Sequence, residues 1–257
     1  MVDFRSKKIV IADLDGTLAP SKSKMDKEMS DLIIELLQYK DFAVISGGRY
    51  EQFEKQFVSG LEYRPERFSR LYLLPTCATS FYRFENGKWR NVYAENLGED
   101  QKIRIIRAFE TALREAGYQK PEKVYGQLIE DRGSQITFSA TGQESPLEVK
   151  QKWDPDQKKR LLIKSYLDKI IPEFEVRIGG TTSIDVTKKG IDKAYGIRKI
   201  ESYFGYKIAE MVFLGDALFE GGNDYPVKNV GVDSIEVSGP EETKKIIREI
   251  IAQSSDQ

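Results

Sequence analysis

Apolar positions recur along the chain with two different periods, and the places where the period changes divide it into three stretches. KIVIAD, ending at Asp13, is a short continuous apolar run of the kind that a parallel sheet buries on both faces. Met25, Met29, Leu32, Ile33, Leu36 and Leu37 then follow helical spacing. DFAVISGG reads as a second strand ending in a glycine turn, with a helix from about Arg49. This βαβα order predicts right-handed crossovers in a parallel sheet.

From about Phe84 to Gly180 the pattern changes. The amphipathic EDQKIRIIRAFETALREAGY predicts a long helix, and VYGQLIED and SQITFSAT predict two adjoining strands turning at Arg132-Gly133. A helix with Pro155 near its start follows in DPDQKKRLLIKSYLDKII, and then come two alternating strands, EFEVRIGG and TSIDVTKKG. These elements predict an inserted α+β unit. From Lys193 the βα order returns, with helix KAYGIRKIESYFG, strand MVFLGD, strands around VKNVGVDSIEV and helix PEETKKIIREIIAQ. The expected fold is therefore α/β: a doubly wound parallel sheet formed by residues 1–84 and 185–257, with an α+β cap at 85–184.

Composition narrows the function classes. The 257 residues suffice for a sizeable core in one large domain or two small ones. Forty basic residues stand against 41 acidic ones, so the net positive field of a nucleic-acid or anionic-membrane binder is missing. No apolar run approaches membrane-helix length and no leader is evident, so a cytoplasmic protein with neither membrane nor nucleic acid as partner is expected. The single cysteine, Cys77, lies in LLPTCATS at an expected strand end and reads as a structural thiol. Histidine is absent, which removes Ser-His-Asp triads and imidazole-based zinc sites and leaves acid–base work to carboxylates, lysines or tyrosines.

The unusual polar residues cluster at strand ends, where ligands bind in doubly wound sheets: Asp13 and Asp15 after the first strand, Ser46 after the second, Asp216 after MVFL. Two carboxylates separated by one residue can divide the labour of phosphoryl transfer. One attacks phosphorus, while the other protonates the leaving oxygen and later activates water. A hard cation is needed to bring an anionic nucleophile to an anionic phosphate, and Asp216 is a natural further oxygen ligand. Ser46, with the backbone N–H groups of Gly47 and Gly48, offers donors to the transferring group.

DLDGT, ISGG, the lysine of KKGIDKAYGI and GDALFEGGND resemble, in order and spacing, the four motifs of the haloacid dehalogenase superfamily of phosphotransferases. The resemblance implies Asp13 as nucleophile, Asp15 as general acid and base, Ser46 as the phosphoryl-holding hydroxyl and Lys193 as its cationic partner. It implies Mg²⁺ on Asp13, Asp216 and the backbone carbonyl of Asp15, with Asn223 and Asp224 in the last motif's loop at or near the metal.

Further stretches resemble the branch that holds Cof-type sugar phosphatases and the eukaryotic-type phosphomannomutases. DLDGTLAPSKSKM places Lys22 where those mutases carry a substrate-binding arginine, GQLIEDRGSQITFSATGQ places Arg132 at the first cap arginine, and GGTTSIDVTKKGIDK places Ser183 and Asp185 on the sugar. Alternation supports the last pair, because Ile184 and Val186 would face the core. The second and third cap arginines are replaced by Gln143 and Lys150, which are not equivalent holders of a bisphosphate, and Ser46 replaces a non-hydroxyl residue. The expectation is therefore a Mg²⁺-dependent hexose-phosphate phosphatase, with a phosphomannomutase as alternative, a non-catalytic sugar-phosphate sensor as a lesser one, and a homodimer through the cap.

Overall fold

The computed structural model describes residues 2–21 and 23–255. Its regular elements run β1 (Ile9–Ala12), α1 (Lys27–Leu36), β2 (Asp41–Ile45), α2 (Tyr50–Gln56), β3 (Leu71–Leu74), β4 (Ser80–Glu85) and β5 (Lys88–Ala94). Next come α3 (Glu99–Glu115), β6 (Ile129–Asp131), β7 (Gln135–Ser139), α4 (Leu147–Trp153), α5 (Lys158–Ile170), β8 (Phe174–Gly179) and β9 (Ser183–Lys188). The last are α6 (Lys193–Phe204), β10 (Met211–Gly215), α7 (Tyr225–Val230), β11 (Asp233–Glu236) and α8 (Pro240–Ser255).

The chain forms two compact units, 1–94 with 192–257, and 95–191. In the first, a seven-stranded sheet has the order β11-β10-β1-β2-β3-β4-β5. It is parallel from β11 to β3, and β4 and β5 join antiparallel. The continuous apolar run of β1 is buried on both faces, as its composition demands. Val10 and Ala12 pack with Met29 and Ile33 of α1 and Ile247 and Ile250 of α8, while Ile9 and Ile11 pack with Ile197 and Ile200 of α6. Ala12 pairs with Val44 on one side and Leu214 on the other, so the residues just beyond β1, β2 and β10 emerge along one sheet edge.

The second unit holds a four-stranded antiparallel sheet, order β6-β7-β9-β8. One face takes Ile136, Phe138, Ile184 and Val186 against Ile105, Phe109 and Ala112 of α3 and Ile163 and Leu167 of α5.

Three expectations are corrected. The boundaries lie at 94/95 and 191/192, not 84/85 and 184/185. The turn at Asn86-Gly87, both with positive φ, folds β5 back on β4 in the first sheet, while β9 pairs with both β7 and β8 in the second. The segment around VKNV is helical, packing Val227 inward and ending at Gly231 in the left-handed conformation. Cys77 sits past the end of β3 in a left-handed turn, described below. Among the described residues no helix is long and apolar enough to cross a membrane.

Candidate active site

Sheet register assembles the polar residues of the first unit. Asp13 follows β1, with its N–H donating to the Leu214 carbonyl of β10 at 3.0 Å, and its side chain is buried. Lys193 opens α6, where Asp192 caps the helix by accepting the Tyr195 N–H at 2.8 Å. The helix lies close to the sheet because residue 196 is glycine: a Cβ there would come within 2.9 Å of Ile45 Cδ1 and 3.1 Å of Ala78 Cβ. That approach carries the buried Lys193 Nζ to 2.6 Å from Asp13 Oδ1 and into a hydrogen bond with Asp224 Oδ1. The other carboxylate oxygen of Asp224 accepts the Ala217 N–H at 3.0 Å.

Asp216, just past β10, accepts the Thr17 hydroxyl at 3.4 Å. Asp13, Asp216 and Asp224 each present an oxygen within 4.8 Å of the others. Burial, opposed by Lys193 and reinforced by Asp224 and Asp216, raises the Asp13 carboxyl well above the ordinary carboxylate range. Burial also raises Asp216, against the pull of Lys193. For Lys193, burial works downward, but Asp13 and Asp224 outweigh it and hold the amine cationic far above neutrality. Three carboxylates against one ammonium is an oxygen-donor set short of positive charge, and it fits a hard divalent cation such as Mg²⁺.

Asp15 is separate from this triad. Its Oδ2 accepts from Gln52 Nε2 at 3.0 Å and its Oδ1 from Gln56 Nε2 at 3.2 Å, two amides one turn apart on α2. Gly16, between Asp15 and Thr17, has φ +87°, and a Cβ there would lie 2.2 Å from Asp216 Oδ2. Only glycine serves both the backbone conformation and the proximity of that carboxylate.

Ser46 ends β2, buried, with its Oγ accepting the Gly48 N–H at 3.3 Å. The Ser46-Gly47-Gly48 loop is held by an unusual neighbour. Thr76, Cys77 and Ala78 have φ of 50°, 55° and 67°, three successive non-glycine residues in the left-handed region. Their turn aims the Thr76 N–H at the Gly48 carbonyl and the Cys77 N–H at the Ser46 carbonyl, both at 2.9 Å. The Thr79 hydroxyl closes it by donating to the Thr76 carbonyl at 2.8 Å.

In the second unit the sheet face opposite the apolar core is polar. Register lines up Glu130, Thr137, Asp185 and Arg177 across all four strands. Asp185 accepts the Thr137 hydroxyl at 2.7 Å, and Ser183 shares its face. Arg132 Nε donates to Glu130 Oε2 at 2.7 Å and its Nη2 to Gln143 Oε1 at 3.1 Å. Lys150 Nζ, buried, donates to the Gln143 carbonyl at 3.2 Å.

Among the sequence-derived candidates, the structure brings together Asp13, Lys193, Asp216 and Asp224. It places Asn223 beside Asp224 in the same loop and groups Arg132, Gln143 and Lys150 on the second unit, while Lys22 lies outside the described residues. Sequence reasoning missed Gln52, Gln56, Thr17 and Glu130. The four-residue spacing of the glutamines on a helix just after ISGG, and the two-residue spacing of Glu130 and Arg132, were the available signals.

Comparison with known proteins agrees with this geometry. The family model for eukaryotic phosphomannomutase matches residues 29–253. A phosphomannomutase of Encephalitozoon cuniculi is 28% identical over 243 residues, covering 92% of this chain and 91% of the relative. One from Spinacia oleracea is 28% identical over 257 residues, covering 94% and 95%. Among solved structures, a haloacid dehalogenase-like hydrolase from Bacteroides thetaiotaomicron superposes with TM-score 0.62 at 14% identity, covering 95% of this chain and 99% of its own. An IMP-nucleotidase from Plasmodium falciparum superposes with TM-score 0.70 at 17% identity, covering 96% and 68%, a likeness of fold. With the carboxylate cluster, its lysine and this match over most of the chain, the protein is a haloacid dehalogenase-superfamily phosphotransferase that belongs to the eukaryotic phosphomannomutase family.

Proposed function

We propose that this enzyme acts on a hexose phosphate through an aspartyl-phosphate and favours release of the phosphate to water over its return to the sugar. In the first half-reaction an Asp13 carboxylate oxygen attacks phosphorus, the bond from phosphorus to the sugar oxygen breaks, and Asp15 gives that oxygen its proton. In the second, Asp15, now a carboxylate, takes a proton from water. The hydroxide oxygen bonds to phosphorus and the Asp13 carboxylate leaves. The amides of Gln52 and Gln56 hold the Asp15 carboxyl in place for both transfers. Lys193 offsets charge at Asp13, and Ser46 with the Gly47 and Gly48 N–H groups offers donors to the phosphoryl oxygens. Mg²⁺ held by Asp13, Asp216 and Asp224, with the Asp15 carbonyl and Asn223 at hand, would supply Lewis-acid offset of the charge between carboxylate and phosphate.

The observation that carries hydrolysis is the engagement of the cap cations. Arg132 is paired with Glu130, at 7% and 12% side-chain exposure, and the Lys150 amine is spent on a backbone carbonyl. Neither is left as an open cradle for the second phosphate that a mutase must retain. Conversion of mannose 1-phosphate to mannose 6-phosphate is the second reading, favoured by the family match. Ser183 and Asp185 would then meet sugar hydroxyls in either case. The test compares phosphate release from hexose 1- and 6-phosphates with their interconversion, with Mg²⁺ and a bisphosphate activator present. Faster interconversion than release would replace the first reading by the second. Asp13→Asn retaining more than about a tenth of the activity would overturn both, because a covalent nucleophile cannot be dispensed with.

A further inference from the structure

Solvent reaches the polar face of the second sheet over β8 and β9. On β7 the residues Gln135, Thr137 and Ser139 are buried, and the Glu130–Arg132 pair is 12% and 7% exposed. On β8, alternation turns Val176 to the apolar core and puts Glu175, Arg177 and Gly179 on the polar face. Arg177 is 31% exposed, so its guanidinium is more reachable than that of Arg132. Register sets Arg177 directly opposite Asp185, and Gly179 opposite Ser183. One guanidinium nitrogen, Nη2, lies 3.2 Å from Glu175 Oε1, which steadies the side chain along its own strand. Asp185 is placed as firmly. Its Oδ1 accepts the Thr137 hydroxyl at 2.7 Å, and its Oδ2 reaches over Gly179, where a Cβ would lie 2.7 Å from it. Any side chain at 179 would push that oxygen away from Ser183, so the glycine keeps the acceptor where it stands. A guanidinium only donates and a carboxylate only accepts, whereas a sugar hydroxyl does both. Two neighbouring hydroxyls therefore match the pair, one accepting from Arg177 and the other donating to Asp185.

We propose that Arg177 is a specificity-determining residue: with Asp185 it reads two neighbouring hydroxyls of the hexose, so the enzyme selects sugar phosphates over phosphate monoesters that carry no hydroxyls. This rests on the phosphotransferase reading above, in which Ser183 and Asp185 meet the sugar, and it holds whether the phosphoryl group goes to water or returns to the sugar. In the sequence, an arginine between Val176 and Ile178 of an alternating strand reads as an ordinary solvated charge. Its cross-strand partner is what gives it a role.

The test measures kcat and KM of the whole chain with Mg²⁺ for mannose 6-phosphate, glucose 6-phosphate and p-nitrophenyl phosphate, in wild type, Arg177→Met and Arg177→Lys. The quantity read is the ratio of kcat/KM for the better hexose phosphate to that for p-nitrophenyl phosphate. Arg177→Met keeps an unbranched side chain and removes every donor. Its ratio should fall about tenfold or more, with the change in KM for the hexose phosphate, because the lost contact is made to bound sugar before and during the reaction. Arg177→Lys keeps a cation without the planar fork, and its ratio should fall by about threefold or more but less than that of Arg177→Met. A merely structural role would depress both substrate classes together and leave the ratio where it was. A ratio within about threefold of wild type in Arg177→Met overturns the proposal. Should that variant fail to fold, Arg177→Lys decides, an unchanged ratio overturning the proposal and a fall of about threefold or more upholding it. A wild type that turns over p-nitrophenyl phosphate but neither hexose phosphate removes the proposed function. Titration calorimetry with mannose 6-phosphate then decides Arg177 by itself. Binding about tenfold or more weaker in Arg177→Met upholds the proposal, and equal or undetectable binding in both proteins overturns it.

Discussion

Lys193→Met keeps the length of the side chain and removes the ammonium that two buried carboxylates share. The amine is 1% exposed, 2.6 Å from Asp13 and bonded to Asp224, with Asp216 completing a group whose oxygens lie within 4.8 Å. Without it, two buried carboxylates and the half-buried Asp216 face one another with no cation. Breaking a buried ion pair by removing one member costs about 3–5 kcal/mol, since the partner stays buried and uncompensated. At about 2–4 °C per kcal/mol for a chain of this size, the variant in chelator should melt roughly 6–20 °C below wild type. Mg²⁺ restores the balance, and in the variant it no longer competes with an ammonium for Asp13 and Asp224. Saturating metal at about 100 times its dissociation constant adds about 2.7 kcal/mol to whichever form binds it. The variant should therefore gain more from a given Mg²⁺ concentration than wild type, while its turnover stays low for want of the cation at the phosphoryl group. Calorimetric or fluorescence melts of both proteins, with chelator and across a Mg²⁺ series, check this. A variant melting within about 2 °C of wild type in chelator, or an identical Mg²⁺ increment in both, would refute the view that Lys193 balances the cluster.

Gly16→Ala must strain a backbone at φ +87° and push the Asp216 carboxylate aside, so Mg²⁺ affinity by calorimetry should fall about tenfold or more; an unchanged affinity would exclude Asp216 from the metal site. At Cys77, φ 55°, asparagine tolerates the left-handed conformation and a β-branched residue does not. Cys77→Asn should raise the melting temperature by about 1–3 °C and Cys77→Val should lower it, and the reverse order would show the turn to be unstrained. Tyr118 donates to the Ala140 carbonyl at 2.6 Å, and burial pushes its hydroxyl up to about 12. A folded value above the unfolded one means its contribution is complete below about pH 10 and is lost as pH climbs towards about 12. Tyr118→Phe should therefore show a shallower alkaline decline in melting temperature than wild type, and parallel declines would remove Tyr118 as a cause.

The amino-acid sequence by itself carried the parts of this protein that depend on short stretches. The two-faced apolar run of β1 and the βα alternation at both ends of the chain specify a parallel sheet, because period and composition are local properties. The polar residues that end β1, β2 and β10 were readable for the same reason, being interruptions of apolar runs at strand ends. What joins to what was decided elsewhere. Asp13 and Lys193 meet across 180 residues, and β5 went to a sheet that local pattern did not indicate, because strand partners are chosen by long-range register. The left-handed turn at 76–78 has no glycine to announce it. It persists because the backbone hydrogen bonds to Ser46 and Gly48 and the Thr79 closure over-determine it. Gln52, Gln56 and Glu130 read as ordinary polar residues until folding supplies Asp15 and Arg132 as their partners. A side chain's role in a charged site is set by the burial and the opposite charge that only the packed chain brings to it.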